Sequence, residues 1–433
     1  MNKPNFLQRI FALGYVAPRC GRISIGALLA IQLCVAHGEP PEADVLAMHD
    51  RLLTLDSHLD TPLRVALPGF DIRRQHDPLK DYSHIDLPRI RAGKLDGGFW
   101  VIYSPQLELS EDGYRQSYLN ALRRLAVIKK MVAQNPSDFA LATTAADAQR
   151  INKLGRHIVY LSIENAYPLG LDIARLQYFY DQGVRMLGLV HKKNNQFADS
   201  STDAAGPRWN GLSPLGVELV KEANRLGMIV DGSHASDLAL EQMIQVSSTP
   251  VILSHSGAAE VFDHPRNVND RLLRKVADAG GVIQMNSLAA YLKDFPKPSP
   301  ERLEALGRFI DDFRAAENAD SPMPFDEFRN RLLAIDKAYP KPVAVFDDYM
   351  SHFLHVLKIV GPANVGVGAD WDGGGGVAGM ADVSMIATIT ERLMRDGYDE
   401  LTLNKIWSGN LLRVLDIVDR SKSVDVRANL PQQ

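Results

Sequence analysis

Six side chains of metal-ligand type each close a short apolar run: His58 and Asp60 in LLTLDSHLD, Glu164 in HIVYLSIE, His234 in GMIVDGSH, His255 in PVILSH and Asp370 in VGVGAD. His58 and Asp60 are two positions apart, so on an extended strand both leave one face and can grip one ion. His234 and His255 each follow a serine, Ser233 and Ser254, at the ends of what read as consecutive strands. Glu164 ends a run that should be interior, where a lone carboxylate is costly unless paired or bound to a cation. Singly, each has an ordinary explanation: a solvent-facing strand end for Glu164, a satisfied core imidazole for either histidine, a helix N-cap for Asp370. Together they point to a metal-dependent hydrolase, because cations held by imidazole and carboxylate lower the pKa of water enough to make a nucleophile near neutral pH. Asp370 could take the proton of that water and deliver it to a leaving amine. Asp372 is the second candidate for that role, and Asp56 reads as a supporting group rather than a ligand.

Residues so far apart in sequence meet only if their strands end on one face, which is what parallel strands of an α/β barrel do. Eight candidate strands are legible: LLTLDSH, GFWVIYS, HIVYLSIE, VRMLGLVH, MIVDGSH, PVILSH, GVIQMNS and NVGVGAD. Between them lie helix-like pieces such as GYRQSYLNALRRLAVIKKMVAQ, SPLGVELVKEANRLG and NDRLLRKVADAG, with apolar residues at three- and four-residue spacing. Strand alternating with helix predicts an α/β fold, a (β/α)8 TIM barrel of one domain over residues 45–420, with a tail from 421 to 433. A proline-rich stretch from about Tyr291 to Phe346 reads as a surface insertion carrying one or two helices, with a lid or subunit contact as the sharper reading. The glycine run Gly373–Gly376 lacks the Gly-Lys-Ser/Thr ending of a phosphate cradle and reads as a flexible loop. His76, His84, His264 and His352, in polar or helical stretches, are expected to face solvent or cap.

The first 38 residues stand apart. Basic Lys3, Arg9, Arg19 and Arg22 precede the apolar ISIGALLAIQLCV, too short for a comfortable bilayer span, so the segment reads as a signal peptide or N-terminal anchor. Export is the expected destination, periplasmic or extracellular, with membrane association through this segment if it is retained. Leu33 departs from the small residue expected ahead of a lipid-bearing Cys34. Both cysteines, Cys20 and Cys34, lie in the leader, so a processed chain offers no thiol and any metal must bind through His, Asp and Glu. A formal charge of -4 excludes a broad basic surface, hence nucleic acid as a partner.

In combination and order, DSHLDTP, LSIENAYPLG, GVRMLGLVHKKNNQFADS, GLSPLGVELVKEANRLGMIVDGSHAS, PVILSHSGA, PRNV, VGVGADWDG and GNLLRVLD resemble the membrane dipeptidase (renal dipeptidase, peptidase family M19) branch of the amidohydrolase superfamily, over roughly Leu52 to Val418. The resemblance implies a dipeptidase with two zinc ions, one held by His58, Asp60 and a shared Glu164, the other by Glu164, His234 and His255. It implies that His191 helps to polarise the scissile carbonyl, that Arg266 takes the substrate carboxylate, that Asp370 serves proton transfer and the substrate amine, and that the protein is a homodimer. Leu59 between the first two ligands, Asn165 after the glutamate and Gly232 depart from the family pattern without removing a ligand, which exposes substrate preference more than metal binding. The rival readings are a related amidohydrolase or tailoring enzyme acting on a modified peptide, and a non-catalytic metal- or peptide-binding protein.

Overall fold

A computed structural model describes residues 40–319 and 321–422. The leader and the tail beyond residue 422 fall outside the described residues. The eight strands expected from the sequence are present with one more: β1 (Leu55–Leu59), β2 (Gly97–Tyr103), β3 (Phe139–Leu141), β4 (His157–Glu164), β5 (Val184–Gly188), β6 (Ile229–Asp231), β7 (Val251–Ser256), β8 (Ile283–Met285) and β9 (Val365–Val367). All pairings are parallel in the order β1-β2-β4-β5-β6-β7-β8-β9. The ring closes where Leu59 bridges Trp371 and the Asp60 amide donates to Trp371 O at 2.9 Å. This is a (β/α)8 TIM barrel with helices outside. The one strand not foreseen, β3, pairs only with β4, along its first three residues; three residues give too short an alternation to stand out in sequence.

β4 is buried along its whole length, as a β-branched and aromatic run must be when both faces are covered. The expected helices form with the chemistry that starts and stops them. Glu111–Gln134 is capped by Ser110, Pro214–Leu226 by Ser213 with Gly227 at φ 77° ending it, and Asp270–Asp278 by Asn269. Several predicted strands are longer than the paired ones. Pairing in β5 ends at Gly188, three residues before His191, and in β6 at Asp231, three before His234. The insertion carries two helices, Pro300–Asn318 and Phe325–Ala338, in line with the surface-insertion reading. They share a small apolar cluster of Phe309, Met323, Phe325 and Phe328 with Leu67, and the Phe325 amide donates to Pro68 O at 2.9 Å, so the insertion packs on the segment following β1.

Among the described residues, no helix is long and apolar enough to cross a membrane.

Asp56 fixes the seam of the barrel. Buried in β1, its carboxylate accepts from the His58 amide at 2.8 Å and, across the ring, from the Ala369 amide at 3.0 Å. Asp56→Ala orphans two buried N–H groups and should cost roughly 2–4 kcal/mol in chemical denaturation, while Asp56→Asn, keeping one acceptor, costs less. Equal stability of Asp56→Ala and the parent protein would contradict this role.

Candidate metal centre and active site

Glu164, last residue of β4, is the meeting point. Its Oε1 lies 3.1 Å from His234 Nε2, 3.5 Å from His255 Nε2, and 3.7 Å from the Nε2 atoms of both His58 and His191. His58 Nε2 is in turn 3.6 Å from Asp60 Oδ2, and His234 Nε2 is 2.9 Å from His255 Nε2. The structure thus brings together residues from β1, β4 and β7 and from the loops after β5 and β6. Asp370, on the loop after β9, completes the cluster: His58, Asp60 and Asp370 offer atoms within 4.8 Å of one another, as do His58, Glu164 and His255, and Glu164, His191 and His234.

Orientation comes from a surrounding layer that the sequence does not reveal. Ser254 Oγ donates to Asp231 Oδ2 at 2.5 Å and accepts from His255 Nδ1 at 2.8 Å, so the other ring nitrogen turns its lone pair into the cluster. Asp231 also accepts from the amides of Ser233 and Ser254, both at 2.9 Å, which stitches the ends of β6 and β7 together. Arg266 is buried; its Nε donates to His234 Nδ1 at 3.0 Å, Nη1 to Ser256 Oγ at 3.1 Å and Nη2 to His255 O at 2.7 Å. Of its five N–H groups two are left to point elsewhere. Asn286 Nδ2 lies 3.4 Å from Asp370 Oδ2. The ring of Tyr291, which opens the insertion, lies 5.8 Å from the Arg266 guanidinium, and that of Tyr103, at the end of β2, 5.1 Å from the His191 ring. Neither tyrosine carries a sequence signal: Tyr103 closes an apolar strand and looks like core, and Tyr291 opens a proline-rich stretch away from any strand.

Three expectations change. Asp372 is not available for proton transfer near Glu164: its side chain is fully buried and accepts from Thr61 Oγ1 at 2.8 Å and the His84 amide at 2.7 Å. His84 and His352 are not solvent groups. His84 Nδ1 accepts from the Asp372 amide at 3.0 Å, and burial lowers its pKa to about 4; His352, fully buried, accepts from the Ala258 amide at 3.0 Å. His76 and His264 are also partnered, with Asp81 and the Arg266 amide. The glycine run is a packed turn rather than a flexible loop. Gly375 N donates to Asp370 O at 2.8 Å and Gly376 N to Ser287 Oγ at 2.9 Å, and a Cβ on Gly373 would strike the carboxylates of Asp60 and Asp370. The backbone is strained here too: His234, Asp370 and Asn165 have φ of 67°, 64° and 71°, at about 1 kcal/mol each for residues other than glycine.

The electrostatics describe a site awaiting positive charge. Burial, with mutual repulsion from Asp60, raises the pKa values of Glu164 and Asp370, while burial pushes His191, His234 and His255 well below the ordinary imidazole range, so each is neutral at pH 7 with one lone pair, that of His234 taken up at Nδ1 by Arg266. His58 Nε2 is buried with no hydrogen-bond partner among the described residues. The acids around it, Glu164 and Asp60, outweigh burial and raise the His58 pKa to about 10; a buried imidazole held among carboxylates, with three neutral imidazoles beside it, is a donor set that fits divalent cations.

A family model, membrane dipeptidase (peptidase family M19), matches residues 42–427. The chain belongs to this family. It is a metallopeptidase of dipeptidase type, and the family's substrates are dipeptides. An uncharacterized dipeptidase of Schizosaccharomyces pombe is 30% identical over 373 residues, 83% of this chain and 79% of the relative. The crystal structure of the probable dipeptidase PvdM from Pseudomonas aeruginosa superposes with a TM-score of 0.73 at 29% identity, covering 88% of this chain and 98% of that one. A metallopeptidase from Rhodobacter sphaeroides, solved with a phosphinate mimic of the dipeptide L-Ala-D-Ala, shares the fold at 22% identity and a TM-score of 0.64, over 85% of this chain and 99% of that one.

Gly373→Ala tests how tightly the acids are packed. Its methyl group would displace Asp60 and Asp370, so the variant should keep its thermal unfolding profile without metal and lose metal affinity by about 10- to 100-fold in a competitive chelator titration. Unaltered affinity would show that the loop yields and that the glycine is not needed there.

Proposed function

We propose that the protein is an exported, zinc-dependent dipeptidase with a binuclear centre. The observation that carries this is the convergence of four imidazole nitrogens on one buried carboxylate oxygen, Glu164 Oε1, within 3.7 Å. In this reading His58, Asp60 and Glu164 hold one ion and Glu164, His234 and His255 the other. Bound there, the pair of cations would supply Lewis-acid polarisation of the scissile carbonyl and acidify water.

The chain's own residues do the rest. Asp370, whose pKa burial raises into a range useful for proton exchange near neutrality, accepts a proton from the attacking water and passes it to the leaving amine. Its Oδ2 is oriented by Asn286. His191, 17% exposed beside Glu164, donates to the substrate carbonyl as charge builds on its oxygen. Arg266 presents its two remaining N–H groups to the substrate carboxylate, a fork that suits a free C-terminus one residue from the cleaved bond and so favours dipeptides over long chains. We infer that residues 1–38 direct export or anchor the chain to a membrane, and that the enzyme works as a homodimer.

Chelation should abolish hydrolysis of a dipeptide panel with D- and L-residues at the second position, N-blocked dipeptides should be poor substrates, and zinc should restore activity. His234→Ala should lose metal, whereas Asp370→Asn should keep it and lose about 100-fold or more in kcat. A protein that binds two ions yet cleaves no dipeptide contradicts the reading and favours the modified-peptide amidohydrolase; chelator-resistant activity contradicts the metal's role.

A further inference from the structure

His352 takes no part in hydrolysis, yet it is fully buried and both of its ring nitrogens are in use. It sits on the helix Phe346–Val360, which begins where the insertion ends and is rooted in the core by Tyr349, Met350, Phe353 and Val356, all fully buried. Nδ1 accepts from the Ala258 amide at 3.0 Å, and Nε2 donates to the Leu292 carbonyl at 2.9 Å. An amide can only donate and a carbonyl only accept, so these two partners fix one neutral tautomer. The ring is a bolt between two segments.

Those segments carry the groups at the carboxylate end of the site. Ala258 opens the loop that returns through Arg266: Ala258 bridges Val268, and the Val268 amide donates to Gly257 O at 2.9 Å, so the loop is shut at its neck. Leu292 directly follows Tyr291, whose ring lies 5.8 Å from the Arg266 guanidinium. Asn267 repeats the connection from beside Arg266. Its side chain is buried, and Nδ2 donates to Phe262 O at 2.9 Å and to Tyr291 O at 2.8 Å. Gly257 runs against both clamps, for a Cβ there would strike Asn267 Oδ1 and crowd His352 Nδ1. So close a fit passes any shift of the bolt on to the Arg266 loop.

Arg266 spends N–H groups on His234, Ser256 and the His255 carbonyl, so the direction of those that remain is set by where its loop lies. We propose that His352 is a positioning residue for substrate binding: it sets the Arg266 loop against the Tyr291 segment, and so governs recognition of the dipeptide's free carboxylate from behind the site. This rests on the dipeptidase reading above and deepens it. Losing the ring leaves the buried Ala258 amide and Leu292 carbonyl without partners, and the two segments must move apart or together to find new ones.

The test replaces the bolt by halves. In His352→Asn the side-chain oxygen can still accept from Ala258, in His352→Gln the side-chain nitrogen can still donate to Leu292, and His352→Ala keeps neither. Each zinc-loaded enzyme is assayed on Ala-Ala, the second residue in D and L form, and on the matching Ala-Ala amide, which lacks the carboxylate; zinc affinity is measured by competitive chelator titration. Wild type should favour Ala-Ala over its amide. His352→Ala should raise KM for Ala-Ala about tenfold, hold kcat within about twofold, leave zinc affinity unchanged and shrink the preference over the amide about fivefold. His352→Asn and His352→Gln should each recover part of that preference. Should His352→Ala not fold, Asn267→Ala, which removes the second clamp, carries the same prediction. Equal loss on Ala-Ala and its amide would reduce His352 to a general structural role and overturn the proposal, as would a fall in kcat alone or weakened zinc binding. A wild type that cleaves no dipeptide, or shows no preference for the carboxylate, overturns the reading on which this rests; a wild-type preference that survives in every variant overturns this inference alone.

Discussion

A carboxylate buried among imidazoles is the constraint from which the rest of the structure follows. Glu164 cannot stay charged in a buried barrel mouth without compensation; of the four imidazoles within 3.7 Å of its Oε1, burial keeps His191, His234 and His255 neutral, while at His58 the charges of Glu164 and Asp60 outweigh burial and raise the pKa to about 10. Neutral rings offer lone pairs, not charge. Cations are the compensation this chemistry calls for, and held by Glu164 they would oppose the upward pKa shift that burial gives its carboxylate. The cluster is therefore a liability to the fold that becomes an asset once metal is bound.

The barrel manages that liability by layering. Cluster side chains at strand ends are turned inward by partners one step further out: Ser254 and Asp231 behind His255, Arg266 behind His234, Asn286 behind Asp370. Backbone strain and the lack of a side chain at Gly373 belong to the same design, since His234 and Asp370 at positive φ reach inward only where the chain has already left the regular strand. The seam between the first and last strands, secured by Asp56 and the Leu59–Trp371 bridge, keeps the His58–Asp60 arm in register with the Asp370 loop.

Much of this was legible in the chain. Apolar runs closed by His, Asp or Glu announce both a parallel barrel and the face on which its site must lie, so the eight barrel strands and the members of the cluster could be named from spacing and family resemblance together. What stayed hidden depends on direction rather than pattern. Asp372 repeats the two-residue spacing of Asp370 yet turns toward Thr61 and His84, because a left-handed backbone at both residues breaks the alternation that an extended strand would impose. His352 sits in a helix like a surface residue, but its helix presents it to the Ala258 amide. A run of glycines reads as freedom when neighbours are unknown and as necessity once Asp60 and Asp370 are seen against it.

The most direct measurement is anomalous diffraction at the zinc edge from crystals of the zinc-loaded enzyme. The account predicts two peaks roughly 3.5–4 Å apart with one carboxylate oxygen or both of Glu164 bonded between them. A single peak, or two peaks of which only one touches Glu164, would contradict it.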